Sequence, residues 1–85
     1  MDYRTLVFVG YQRHEQFIAA FGENLRKIRL AKGISQEDLA FKADLTLSQV
    51  GRIERGVINT SISMVFSLAA ALEIETMELF RFKIE

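Results

Sequence analysis

The side chains of this 85-residue sequence that could do chemistry are few. There is no cysteine, and His14 is the single histidine, so neither a thiolate site nor a multi-histidine metal site can form. No glycine-rich phosphate loop occurs, and the carboxylates lie at predicted helix caps or in the acidic end of the chain. We therefore expect no enzyme activity, no metal and no cofactor. What remains is hydrogen bonding by glutamine, asparagine, serine and arginine side chains.

Two capping patterns predict two short neighbouring helices. Ser35 with Asp38 is a capping box, and it opens a helix that ends near Ala43. Thr46 with Gln49 is a second box, so another helix begins about three residues later. This spacing is that of a helix-turn-helix, although plain packing motifs share it.

The second of these helices is predicted to span Leu47–Arg55, with Val50 and Ile53 on its buried side. Asp44 stands in the turn where a left-handed residue is wanted, which aspartate tolerates better than most residues. Gly56 ends the helix.

Helical periodicity also surrounds this pair. Before it, apolar residues recur at steps of three and four up to Gly33, at Phe17, Phe21, Leu25 and Ile28. Gly22 lies inside this run at a cost of about 1 kcal/mol relative to alanine, so we expect the helix to bend or begin there. After the pair, the capping residues of 59–61 open a further helix through Ile62, Val65, Phe66, Ala69 and Leu72. A last turn covers Thr76–Phe80.

The two ends of the chain carry strand-like patterns. Met1–Val9 is rich in branched and aromatic residues, and Phe80, Phe82 and Ile84 alternate with charged residues. The alternative for the tail is that Leu79 and Phe80 close the helical core and the last residues fray. We divide the chain into an N-terminal extension (1–20), a helical domain (21–80) and a tail (81–85). No segment has the length of a membrane span and no signal peptide is recognisable, so we expect a cytoplasmic protein.

Charge is balanced overall but unevenly distributed. The chain has 11 basic and 11 acidic side chains, a mild argument against nucleic-acid binding. Residues 21–34, however, hold four basic side chains against one acidic, whereas residues 61–85 are net acidic. A basic face can bind phosphates even when the net charge is zero.

Residues 21–40 resemble the opening of the Xre/Cro-repressor helix-turn-helix family, and Ser48–Gly56 resembles its recognition helix. Residues 59–62 and 68–74 are similar to its later helices. The resemblance implies an all-α, lambda-repressor-like five-helix DNA-binding domain, with short strands at the termini left open. Residues 29–40 and 59–62, with the chain's size, resemble more weakly the controller proteins of restriction–modification systems. The sequence departs from the family pattern at Asp44, Gly51 and Thr60, where glycine, serine and proline are common.

The resemblance implies a transcription regulator that reads double-stranded DNA. The first half of Leu47–Arg55 would enter the major groove, where glutamine can bond adenine and arginine can bond guanine. The candidates for base contact are Leu47, Ser48, Gln49 and Arg52. The candidates for phosphate contact are Gln36, Arg55, Asn59 and Arg26. The alternative for the four base-contact candidates is a solvated polar helix face.

The resemblance also implies a structural ion pair between Arg29 and Glu54, which ties the first long helix to the recognition helix. Removing one partner of a buried pair typically costs about 3–5 kcal/mol.

We further expect a homodimer on a near-palindromic operator, with half-sites about 34 Å apart. The last helix and the terminal segments would hold it, through Met77, Phe80 and Phe82. The alternative function is a protein-interaction module, such as an antitoxin that binds a partner protein. The sequence leaves open the operator, activation or repression, any toxin or RNA polymerase contact, and the choice among controller, phage-type repressor and antitoxin.

Overall fold

Four α-helices and one 3-10 helix make up the part of the chain described by the computed structural model, residues 13–84. The α-helices are α1 (Glu15–Ala31), α2 (Gln36–Ala43), α3 (Leu47–Glu54) and α4 (Ile62–Leu72), and the 3-10 helix is Thr76–Phe80. The predicted all-α class is confirmed. Residues 13–84 contain no strand, and the strand predicted for Met1–Val9 lies outside the described residues.

The caps that the sequence predicts set the helix boundaries. Thr46 Oγ1 accepts a hydrogen bond from the backbone N–H of Gln49 at 3.0 Å. In return, Gln49 Oε1 accepts one from the backbone N–H of Thr46 at 2.8 Å. Ser35 Oγ accepts from the Asp38 amide, which is the serine half of the predicted box. At the start of α4, Ser61 Oγ accepts from the Met64 amide. Each cap satisfies backbone donors that an uncapped helix would leave unpaired.

The turn between α2 and α3 depends on a left-handed residue. Asp44 has φ 57° and ψ 44°, as predicted, and the Leu45 amide then bonds back to the Ala40 carbonyl at 2.9 Å. This turn redirects the chain within three residues, so that α3 packs against α2.

The core lies where the inner faces of all five elements meet. Leu25, Leu39, Val50 and Leu68 are fully buried, and Ile53 is 1% exposed, so the predicted inward face of α3 is confirmed. On α4, however, two members of the apolar pattern point outward: Ile62 is 89% exposed and Phe66 is 66% exposed. The inner face of α4 is already filled by its other apolar residues, Val65, Leu68, Ala69 and Leu72.

The end of the chain packs on α1. Asn24 Nδ2 donates to the carbonyls of Glu78 and Leu79, each at 3.0 Å, and Leu79 is fully buried. Beyond it, the centroid of the Phe82 ring lies 5.2 Å from the centroid of the Phe17 ring. Of the two alternatives for the tail, closure of the helical core is therefore the one observed, but Phe82 packs on Phe17 instead of fraying. Residues 81–84 form no strand.

Helix α1 does not begin at Gly22, which was one of the two alternatives that the sequence predicted. It runs from Glu15 through Gly22, because this position is where α1 meets α3. A Cβ built on Gly22 would lie 2.2 Å from the Ile53 carbonyl oxygen and 2.7 Å from that of Glu54. Both contacts are backbone atoms, so no side-chain rotation can relieve them.

Gly22→Ala is therefore expected to destabilise the protein, although alanine is the better helix former. The added methyl must push α1 and α3 apart, at a cost of about 1–3 kcal/mol or more. Thermal unfolding measures this, with Glu23→Ala as the control on the exposed side of the same helix. A Gly22→Ala variant at least as stable as wild type would show that the two helices are not in close contact.

Candidate nucleic-acid interface

Helix α3 presents two chemically different faces. Its inner side carries Val50, Ile53 and Glu54, which are all buried. Its outer side carries Leu47, which is 48% exposed, together with Ser48 and Arg52, which are both exposed. The residues predicted to contact bases thus lie together on one open surface, with Gln49 half-buried at its edge.

Gln49 has a role that limits how it can act on a ligand. Its Oε1 already caps α3 by accepting from the Thr46 amide. A bidentate contact with adenine needs both the oxygen and the amide nitrogen, so Oε1 would have to accept a second hydrogen bond. The Nε2 donor has no such engagement within residues 13–84.

The pair Arg29 and Glu54 is brought together in the interior. Arg29 Nε donates to Glu54 Oε2 at 2.6 Å, and Arg29 Nη2 donates to Glu54 Oε1 at 3.1 Å. The side chains are 8% and 2% exposed, and Arg29 Nη1 also donates to the Ile34 carbonyl at 2.9 Å. This bidentate geometry compensates for burial of the two charges.

Gln36 is the third member of this network, a role that sequence reasoning did not predict. Its Nε2 donates to Glu54 Oε1 at 3.0 Å, so the first residue of α2 is tied to the last residue of α3. The second hydrogen on Nε2 remains available for an external acceptor. No local pattern could have shown this bond, because the two residues are 18 positions apart and only the fold brings them together.

The other residues predicted to contact phosphate are more widely placed. Arg55 caps the end of α3 and is exposed, Asn59 is exposed in the loop before α4, and Arg26 is exposed on α1 one turn before Arg29. Within residues 13–84 neither Arg26 nor Arg55 forms an ion pair. The structure therefore gathers Gln36 and Arg55 around α2 and α3, whereas no contact within residues 13–84 draws Arg26 toward them.

The charge of the α3 surface follows from these positions. The one carboxylate of α3 is Glu54, which is buried against Arg29, whereas Arg52 is exposed and without an ion pair in the described part of the chain. The outer surface of α3 is therefore cationic despite the zero net charge. Two exposed carboxylates, Glu37 and Asp38, stand in the first turn of α2 and limit the cationic surface on that side.

A second surface, on α1, α4 and the 3-10 helix, is apolar. Among the residues predicted for dimerisation, Met77 is 69% exposed and Phe80 is 42% exposed, whereas Phe82 is half-buried against Phe17. Ile62 and Phe66, one turn apart on α4, add to this surface, and Ile62 lines the same groove as Phe80. Sequence reasoning missed both; the signal was an α4 of eleven residues without a single charge.

These features are those of a known family. A helix-turn-helix family profile matches residues 25–79. The chain belongs to the Xre-type helix-turn-helix family of DNA-binding transcription regulators. This confirms the resemblance that the sequence suggested.

Relatives within this helix-turn-helix family include restriction–modification controllers. The control protein C.BamHI of Bacillus amyloliquefaciens is 40% identical over 63 residues, which is 73% of this chain and 78% of that protein. The crystal structure of the restriction-modification controller protein C.AhdI from Aeromonas hydrophila matches with a TM-score of 0.73 and 51% identity, over 74% of this chain and 96% of that one. The clp gene regulator ClgR from C. glutamicum matches with a TM-score of 0.73 and 25% identity, over 75% of this chain and 82% of that one.

No helix within residues 13–84 is long and apolar enough to cross a membrane.

Glu54→Ala is expected to destabilise the domain by about 3–5 kcal/mol, because it leaves the Arg29 guanidinium buried without its partner. Gln36→Ala should cost only about 1 kcal/mol, because the ion pair survives. Thermal or denaturant unfolding of both variants measures the difference. If Glu54→Ala kept its melting temperature yet lost DNA binding, Glu54 would act on DNA rather than on the fold.

Proposed function

We propose that this protein is a transcription regulator that binds a near-palindromic operator as a homodimer, with α3 in the major groove of each half-site. The observation that carries the proposal is the outer surface of α3. It places Ser48, Gln49 and Arg52 side by side, while the only carboxylate of the helix is neutralised in the interior.

The length and chemistry of α3 suit the major groove. A single α-helix fits this groove, and base edges there present distinct donor and acceptor patterns. Arg52 has the planar donor pair that matches guanine O6 and N7, and Leu47 can contact a thymine methyl group. Ser48 and the Nε2 group of Gln49 supply further hydrogen bonds at the start of the helix.

Phosphate contacts would fix the protein on the duplex without reading its sequence. We assign them to Gln36 at the start of α2 and to Arg55 and Asn59 beyond α3, with Arg26 on the flanking backbone. The bond from Gln36 to Glu54 supports this assignment, because it holds one phosphate donor at a fixed distance from α3.

Dimerisation would follow from the apolar surface. Five large apolar side chains on or near α4 and the 3-10 helix are at least 40% exposed: Phe17, Ile62, Phe66, Met77 and Phe80. A small domain that leaves such side chains in water gains by covering them with a second copy. A two-fold pair of α3 helices would then read two half-sites about 34 Å apart.

The biological role we favour is control of a restriction–modification system, since C.BamHI and C.AhdI are proteins of that kind. Under this proposal the chain is not an enzyme, needs no cofactor, and works in the cytoplasm, where its DNA is. The alternative, a module whose main task is to bind another protein, predicts no preferred DNA site.

Selection from random duplexes tests DNA recognition directly. We expect enrichment of one two-fold site, bound with an affinity that falls steeply with salt because phosphates are contacted. Arg52→Ala in the same selection should lose preference at one base position in each half-site, worth about 1–3 kcal/mol. Failure of wild type to enrich any site would favour the interaction module, and uniform weakening by Arg52→Ala would make Arg52 a phosphate contact.

Sedimentation tests the dimer. Wild type should sediment as a dimer, and Ile62→Glu and Met77→Glu should each shift it toward monomer, since a carboxylate buried in the contact is unpaired. Phe41→Glu is the matched control, because Phe41 is 87% exposed on α2, outside the proposed contact. Wild type that remains monomeric at high concentration would remove this part of the proposal.

A further inference from the structure

Among the glycines of residues 13–84, Gly51 is the one that neither backbone conformation nor a close backbone contact requires. Gly22 is required by the approach of α1 to α3, Gly33 and Gly56 have φ of 71°, and Gly56 also touches Ala19. Gly51, in the middle of α3, has neither a positive φ nor a backbone neighbour within 4 Å of its Cβ position. Glycine is nevertheless among the least favourable residues for a helix interior. A residue that breaks a local rule without a structural need points to function.

The space beside Gly51 is taken by the guanidinium of Arg55. A Cβ at position 51 would lie 3.0 Å from Arg55 Nη1, 3.8 Å from Cζ and 4.0 Å from Nη2. The side chain thus extends back by one turn, in the direction that helical side chains favour. Its charge lies alongside the middle of α3 rather than beyond the end of the helix.

Within the described residues, no other polar group holds that guanidinium. Within residues 13–84, Arg55 forms no ion pair, and its guanidinium makes no hydrogen bond. The residue is exposed. An arginine with all its donors available and a defined resting place can bind an anion with less loss of side-chain freedom than a mobile one.

We propose that Gly51 is a positioning residue that seats the Arg55 guanidinium against α3, ready to bind a DNA phosphate beside the groove. The inference rests on the proposed function. It adds a determinant of affinity that touches no DNA itself, because even a methyl group at position 51 would lie 3.0 Å from Arg55 Nη1 and make the guanidinium give way.

The test is a double-mutant cycle on wild type, Gly51→Ala, Arg55→Ala and the double variant, with affinity measured on the duplex selected by wild type. Gly51→Ala should fold at least as stably as wild type, because only the far end of a flexible side chain must move. It should nevertheless weaken binding by about three- to tenfold. Arg55→Ala should weaken binding and lower the slope of log affinity against log salt by about 0.9. In the Arg55→Ala background, the effect of Gly51→Ala should vanish.

A second readout needs no DNA. The Nε–Hε resonance of Arg55 in the free protein should move in Gly51→Ala and stay in place in Ser63→Ala, which alters an exposed position of a different helix, α4. An unmoved resonance would show that Gly51 does not position the Arg55 guanidinium. If wild type binds its duplex but Gly51→Ala binds equally well, or its effect persists without Arg55, the positioning role is wrong while DNA binding stands. If wild type selects no duplex, DNA binding fails and the role of Gly51 fails with it, whatever the resonance shows.

Discussion

The carboxylate of Glu54 is the point on which the arrangement of the helices depends. It is 2% exposed and accepts three hydrogen bonds, two from Arg29 on α1 and one from Gln36 on α2, while its own backbone belongs to α3. Three helices are therefore held at one buried group. A charge buried this deeply is tolerated only when its lone pairs are satisfied, and the bidentate arginine with the glutamine amide does so. The geometry of the site is then fixed before any ligand arrives.

This constraint explains how a chain of zero net charge presents a cationic helix. Because the only carboxylate of α3 is turned inward and paired, the outer surface retains the charges of Arg52 and Arg55. The approach of α1 to α3 at Gly22 makes the pairing possible, since a side chain there would hold the two backbones apart. The aromatic packing of Phe80 and Phe82 on α1 then closes the domain at the opposite end of the sequence. Exposed apolar side chains on α1, α4 and the 3-10 helix form a second surface.

Sequence reasoning succeeded where the determining interaction is local. The capping pair Thr46 and Gln49 and the left-handed Asp44 act within four residues, so spacing alone identified them. It failed where distant segments meet. The helical pattern could not show that Gly22 faces a carbonyl of α3, that Gln36 binds Glu54, or that the apolar Ile62 and Phe66 face solvent. The tail was ambiguous for the same reason: aromatics at every second residue fit a strand or an irregular segment, and only the packing of Leu79, Phe80 and Phe82 on α1 decides between them. The pairing of Arg29 with Glu54 came from family resemblance, not from any local pattern.

The central claim is that the start of α2 and the outer side of α3 form one rigid DNA-binding surface. Titration of the ¹⁵N-labelled protein with its selected duplex, followed by amide and side-chain NMR resonances, tests it most directly. The resonances of Gln36, Ser48 and Arg52 should shift together with one midpoint, while those on the exposed Phe41 side of α2 should not respond. Shifts confined to α4 and the 3-10 helix, with α3 unchanged, would contradict it.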